Sequence, residues 1–276
     1  MAYSRTQYTY NDLVINDQTT DPTEFVLLDA TSISDVLVEN VEDSLPTDPG
    51  IVDYGSKLDK GSVVLPLSLF ASTEAKMREL AQTVKATFNP ELAELDTTYG
   101  EDTDYGGYLP FTWTETVGAS TRNYRTWLKP VEIPKIAIDS LSGQILTTKA
   151  SLKLRDPRKY TTSLGTLVGS GTATNTGDTP TNVIITIVAS GTTSTSLEIT
   201  NSTTGKTIYV TTALTSGQTL TIDTRLHSAK LGSTESRSYL GSNTTWWSLV
   251  PGVNTITVSN NTNAVVSTSW YNAWTL

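Results

Sequence analysis

The feature that most constrains this chain is the spacing of its turn residues. Short runs of Val, Ile, Leu, Thr and Tyr recur along most of the 276 residues, and Gly, Asn, Asp or Pro interrupts them every few positions. Runs of that length and type read as strands, not helices. In the first half they are Leu13–Ile15, Phe25–Leu28, Ile33–Val38, Gly61–Phe70, Leu92–Leu95, Leu109–Trp113, Tyr124–Lys129, Val131–Ile138 and Gln144–Leu154. Within Gly61–Phe70, alternation places Val63, Leu65, Leu67 and Leu69 on one face and Val64, Pro66 and Ser68 on the other, as in a half-buried strand. Pro66 lacks an N–H and suggests a sheet edge or a bulge. Short connections, such as the turns at Gly118–Ser120 and Asp139–Gly143, make the later strands an antiparallel meander. A longer polar excursion, Glu39–Lys60, holds Pro46, Pro49 and Gly50.

One stretch breaks the pattern. From Ser72 to Phe88, Met77, Leu80, Ala81, Val84 and Phe88 fall on one stripe at helical spacing. Ser72 or Thr73 can cap the start, Glu74 suits the first turn, and Asn89-Pro90 stops the helix. A single amphipathic helix among strands must pack on a sheet face.

From Ser163 onward charge thins out and Gly, Thr, Ser and Asn dominate. Strand-like runs recur at Val183–Val188, Leu197–Thr200, Thr207–Thr211, Thr219–Asp223, Trp246–Leu249, Thr255–Val258 and Ala264–Trp270, with turns at Asn201–Gly205, Ser216-Gly217 and Pro251-Gly252. The expected fold class is therefore mainly β. A β-sandwich or meander domain with one α-helix (about 72–88) occupies 1–163, and a jelly-roll-like β-sandwich occupies 164–276.

Charge and composition narrow the function. A net charge of −9 lacks the basic footprint that phosphate binding needs. There is no Cys, so disulfides and thiolate chemistry are excluded. No apolar run approaches the roughly 20 residues that span a bilayer, and the first 16 residues lack the layout of a signal peptide. The expectation is a soluble protein that acts, or is assembled, where it is made.

Few residues invite chemistry. His227 is the one histidine; Asp223 lies four residues before it, but there is no G-x-S-x-G elbow, and two ligands make no metal site. Asp102 and Asp104 open like a calcium loop but the pattern fails afterwards. Carboxylates are numerous and none is marked out as a catalytic pair. No nucleotide-binding loop is present. No catalytic residue, metal or cofactor is expected. The suggestive cluster is aromatic: Trp246, Trp247, Trp270, Tyr271 and Trp274. Such residues stack on pyranose rings in sugar-binding sandwiches, or else fill cores and cross-strand pairs. Trp246, Trp247, Tyr271 and Trp274 are the candidates for ligand or partner contact.

The order of features is itself informative. GSVVLPLSLF, then one helix, then a meander ending in Asp156-Pro157-Arg158-Lys159-Tyr160, resembles the N-terminal domain of siphophage distal tail (Dit) proteins, with Asp156, Pro157 and Tyr160 filling a D-P-x-x-Y closure. Asn175–Gly177, VIITIV, LEITNSTTGKTIYV, Leu220–Thr224 and WWSLVPGVNTITV, in that order, resemble the galectin-like outer domain of the same family. The resemblance implies a non-enzymatic virion protein made in the host cytoplasm: a hexameric ring at the end of the tail tube. Its partners would be further copies of itself, the tail tube protein, the tail-tip hub, and receptor-binding or side-fibre proteins, with no specific nucleic-acid binding and no membrane insertion. An acidic protein lining a conduit would repel passing DNA. The outer domain is compact and lacks room for the long inserted arms of some relatives.

Overall fold

The computed structural model describes residues 6–17, 24–28, 62–95, 108–117, 120–136, 145–156 and 158–275. The expected strand Ile33–Val38, the excursion Glu39–Lys60, the Asp102/Asp104 loop, the turn Asp139–Gly143 and Pro157 lie outside them. The chain divides into two compact units, Met1–Lys159 with Leu276, and Tyr160–Thr275.

The first unit contains β1 (Tyr8–Tyr10), β2 (Leu13–Ile15), β3 (Glu24–Leu28), β4 (Ser62–Ala71), α1 (Glu74–Thr87), α2 (Pro90–Leu95), β5 (Leu109–Val117), β6 (Ser120–Pro130) and β7 (Ile145–Leu154). The chain leaves it along β8 (Arg158–Thr161). The sheet runs β6-β5-β1-β2-β3-β4-β7 and closes on itself where β7 returns to β6. The closing register is Leu128↔Leu154, Lys129↔Lys153 and Pro130↔Leu152. Closure removes the edges that an open meander would leave unpaired. All pairs are antiparallel except the bridge Ile15↔Val26 between β2 and β3.

On β4 the alternation holds: Val63, Leu65, Leu67 and Leu69 are buried. Pro66 departs from expectation. Its strand lies between β3 and β7, and the β7 register passes through Pro66↔Lys149 without a slip. On the other side, the described β3 pairing ends at Leu28↔Leu67, the residue after the proline.

Helix α1 starts where a hydroxyl can accept an orphan N–H: Thr73 Oγ1 accepts from Lys76 N at 3.3 Å. It buries Met77, Leu80, Ala81, Val84 and Thr87 against β4 and β3. Leu92–Leu95 is helical, not a strand. Asn89-Pro90 ends one helix and begins the next, because Asn89 Oδ1 caps Glu91 N at 3.0 Å and proline suits the first helical position. Residues 131–136 of the expected strand Val131–Ile138 are irregular. Pro130 and Pro134 withhold two donors, and the segment is tied to β7 through Val131 N to Ser151 O and Thr148 Oγ1 to Lys135 O.

The core of this unit is strongly aromatic. β1 sets Tyr8 opposite Trp113 and Tyr10 opposite Phe111 on β5. Tyr10 is fully buried, stacks on Phe88 at 5.2 Å and donates its hydroxyl to Leu128 O at 3.0 Å. Burial pushes its phenol well above the ordinary value of 10.0. The protonated form is thus favoured by folding; this contribution is fully present below pH 10.0 and is lost as pH rises beyond it. Tyr10→Phe should cost about 1–2 kcal/mol in urea unfolding at neutral pH, since it leaves a buried carbonyl one donor short.

The closure residues organise the unit's exit. Asp156 accepts from Arg158 N at 3.1 Å and Arg158 Nε at 2.7 Å through one oxygen, and from Nη2 through the other. Lys159 reaches Glu115 at 3.0 Å and lies over the Tyr124 ring, while Trp113 Nε1 donates to Glu115 at 2.7 Å.

The second unit comprises β9 (Gly165–Val168), β10 (Gly171–Asn175), β11 (Val183–Ala189), β12 (Leu197–Asn201), β13 (Lys206–Val210), β14 (Thr219–Asp223), β15 (Ser228–Leu231), β16 (Thr234–Glu235), β17 (Gly252–Ser259), β18 (Ala264–Trp270) and β19 (Ala273–Thr275). A four-stranded sheet, β10-β17-β12-β13, and a six-stranded sheet, β16-β15-β14-β11-β18-β9, bury one shared core. Inward residues alternate along each strand: Val183, Ile185, Ile187 on β11, Ile199 on β12, Ile256 on β17, Val266 on β18.

Candidate partner-contact site

The segment carrying Trp246 and Trp247 is not the strand its residues suggest. Among residues 246–249 the ladder contact is an isolated bridge, Thr181↔Leu249. Three asparagines, each 0% exposed, take the place of a ladder. Asn201 Nδ2 donates to Ser248 O at 3.2 Å, Asn175 Nδ2 to Leu249 O at 3.3 Å, and Asn254 Nδ2 to Val250 O at 2.8 Å and Gly252 O at 3.2 Å. Asn254 Oδ1 accepts from Val250 N at 3.0 Å and from Asn201 Nδ2 at 3.2 Å. A side-chain amide offers both donors and an acceptor, so it can satisfy a buried backbone without a neighbouring strand.

This clamp parts the two tryptophans. Trp247 is 3% exposed and donates Nε1 to Ile199 O at 3.3 Å; it is core, with no face open to a ligand. Trp246 is half-buried against the same core. His227 stacks on its ring at 4.8 Å and 15°, and the Arg237 guanidinium lies 5.5 Å from the ring centre. His227 ends the turn between β14 and β15, exposed and left-handed at φ 55°. Asp223 serves that turn, accepting from Arg225 N at 2.7 Å and Leu226 N at 3.1 Å. No group of three or more metal-binding side chains occurs among the described residues.

At the other end, Trp270 is core, donating Nε1 to Thr174 O at 3.2 Å. Tyr271 and Trp274 are half-buried. Their segment is held by Thr181 Oγ1 to Tyr271 O at 2.7 Å, Thr176 N to Asn272 Oδ1 at 3.0 Å and Thr275 N to Asp178 Oδ1 at 2.8 Å. Asn175 completes the N-x-G motif: its Oδ1 accepts from Gly177 N at 3.0 Å. Gly177 then lies so close to β19 that an added Cβ would fall 1.7 Å from Ala273 O. The structure thus leaves Trp246, Tyr271 and Trp274 with surface exposure. The residues that sequence reasoning missed are Asn201 and Asn254 as clamps, and Arg237; a buried asparagine reads in sequence like a turn.

A model of the siphovirus-type tail component C-terminal domain family matches residues 176–274. No curated protein sequence matches the chain. Among solved structures, the Dit protein of phage SPP1 aligns with a TM-score of 0.61 at 14% identity, covering 98% of this chain and 99% of that one. That protein is described as a paradigm of the hub adsorption apparatus of phages infecting Gram-positive bacteria. The Asn175–Gly177 turn, the clamped tryptophan segment and the closing strands β17 to β19 fall in or beside the matched span. Residues 176–274 thus match the C-terminal domain of siphovirus-type tail components, and the chain has the fold of the SPP1 Dit protein along nearly its whole length.

Proposed function

We propose that the chain assembles into a hexameric ring at the distal end of the tail tube, without catalysis. It would join the tube to the tail-tip hub, give receptor-binding or side-fibre proteins a docking platform, and leave a channel for DNA. The observation that carries this reading is the near-complete coverage, in both directions, of a protein described as a hub of the adsorption apparatus. A closed, edge-free sheet in the first unit suits a wall element, and its net negative charge suits a conduit for DNA. In this reading residues 1–163 form the ring, residues 164–276 form a galectin-like outer domain, and Trp246, Tyr271 and Trp274 are available for partner contact. Native mass spectrometry and negative-stain microscopy of the purified full chain should show closed six-fold rings. A species that stays monomeric up to high concentration, in a chain absent from virions, would refute the proposal.

A further inference from the structure

The second unit is poor in charge, and most of its cations are gathered in one place. Tyr160–Thr275 holds four Lys or Arg and four Asp or Glu. Three of those cations, Arg225, Lys230 and Arg237, fall with the single histidine between residues 225 and 237. Two have carboxylates at hand: Arg225 lies 4.0 Å from Asp223 and Lys230 3.7 Å from Glu235. Arg237 has no carboxylate partner among the described residues, and neither ring nitrogen of His227 is hydrogen-bonded to one of them. Both side chains are exposed, and both rest on the ring of Trp246. Trp246 adds a third open donor. Its Nε1–H is closed off from the surface and has no acceptor among the described residues, whereas Trp247 Nε1 finds Ile199 O. A buried N–H without a partner is uncommon in a folded protein, and an acceptor from outside the chain is one way to complete it. Stacking explains why the three side chains meet, but it engages ring faces and leaves the N–H groups at the edges free to donate. Their backbones are held. Thr245 N donates to Thr207 O at 2.8 Å and Thr245 Oγ1 accepts from Thr207 N at 2.8 Å, just before Trp246. Arg237 opens a 3-10 turn in which Ser236 Oγ accepts from Ser238 N at 3.2 Å.

We propose that Trp246, His227 and Arg237 form a binding site for an oxyanion, a carboxylate or phosphate group. The ligand class follows from the donors. Three N–H-bearing groups gather at one ring, and the carboxylates nearest in sequence are engaged elsewhere, Asp223 with its own turn and Glu235 with Lys230. The guanidinium fork matches either oxyanion through two parallel N–H···O bonds. The unit's balance of four cations and four carboxylates sets no net repulsion against an anion, unlike the acidic remainder of the chain. The site gives a chemistry to the partner contact proposed above for Trp246, and it rests on that reading only for the ligand being carried by a partner. It is complete within one chain and does not depend on the ring. A partner's acidic side chains would supply carboxylate; phosphate would arrive free or on a polymer.

Calorimetric titration of the purified full chain with inorganic phosphate, and separately with succinate, tests this at constant ionic strength with chloride as the balancing anion. At least one of the two should bind saturably, at one site per chain. Arg237→Gln should weaken that binding about tenfold or more, the loss expected of a charge-assisted pair. Trp246→Phe keeps a ring for stacking but removes the N–H, and His227→Asn suits the left-handed backbone but removes the imidazole; each should weaken binding about threefold or more. Lys206→Gln removes an exposed cation of the four-stranded sheet and should change nothing. Binding of phosphate alone assigns a phosphate-bearing ligand, and binding of succinate, alone or with phosphate, admits an acidic side chain; each result supports the site. Binding of neither probe, or binding undiminished in Arg237→Gln with its melting unchanged, would overturn the assignment. Six-fold rings without anion binding would sink this inference and leave the ring standing.

Discussion

Gly177→Ala should unfold the second unit at temperatures about 15–20 °C below the parent, a loss of about 4 kcal/mol. The reason is a backbone collision, not lost flexibility. The added Cβ would lie 1.7 Å from Ala273 O and 2.6 Å from Ala273 C. A peptide group cannot rotate away as a side chain can, and β19 is fixed on both sides of the collision. Ala273 O accepts from Thr179 N at 3.3 Å, and Thr275 N is held by Asp178. Gly205→Ala makes the contrast. Gly205 has φ +68° and nothing within 4 Å of its Cβ position, so it should cost only about 1 kcal/mol. Differential scanning calorimetry of the three proteins checks both values. Equal melting of the two variants would mean that β19 yields easily.

The second large effect is expected at Asn254. Alanine there deprives Val250 N of its acceptor, strips Val250 O and Gly252 O of a donor, and removes the oxygen that Asn201 Nδ2 reaches. Each buried group left unpaired costs about 1–3 kcal/mol, and some relax, so the sum should be about 3–5 kcal/mol. Asn254→Asp separates shape from chemistry. It preserves the volume and the acceptor but sets a second oxygen against the Val250 and Gly252 carbonyls, so it should be no better than alanine. Asn243→Ala, at an exposed position, should stay within about 0.5 kcal/mol. Urea unfolding followed by tryptophan fluorescence reports this directly, because Trp247 lies in the clamped segment. A small loss at Asn254 with a large one at Asn243 would reverse the account of which asparagine holds the loop.

Strands with strong alternation were legible. Leu13–Ile15, Thr219–Asp223 and Ala264–Trp270 have the bounds their residues suggest, and the α1 stripe lands on buried positions. The helix boundary shifted by only a residue or two, because Thr73 supplies the cap. What failed to show was structure set by distant partners. β9, β10, β15 and β19 are three to five residues long and have few apolar positions to mark a period; their strands exist because neighbours hold their backbones. Trp246–Leu249 looked like a strand for the opposite reason. Its residues are strand formers, but its carbonyls go to asparagine amides that composition would assign to turns. Closure of the first sheet was invisible too, since no local pattern records that β7 comes back to β6. At the candidate contact residues, sequence named both Trp246 and Trp247, of which only Trp246 keeps surface exposure. It gave no sign that His227 and Arg237 gather on the outer one.

The pairing of early strands with late ones has a consequence for biosynthesis. Tyr8 meets Trp113, Gly165 meets Trp270, and Gly171 meets Ile256. β1 meets β2 at once but waits about a hundred residues for β5, and β9 waits as long for β18, its one ladder partner among the described residues; such long-range pairing is the arrangement that slows β-rich folding most. During that wait the nascent strands are exposed and adhesive. Chaperones should matter for the yield of this protein more than its modest size would suggest, and trimming the last strand of the second unit should lower that yield.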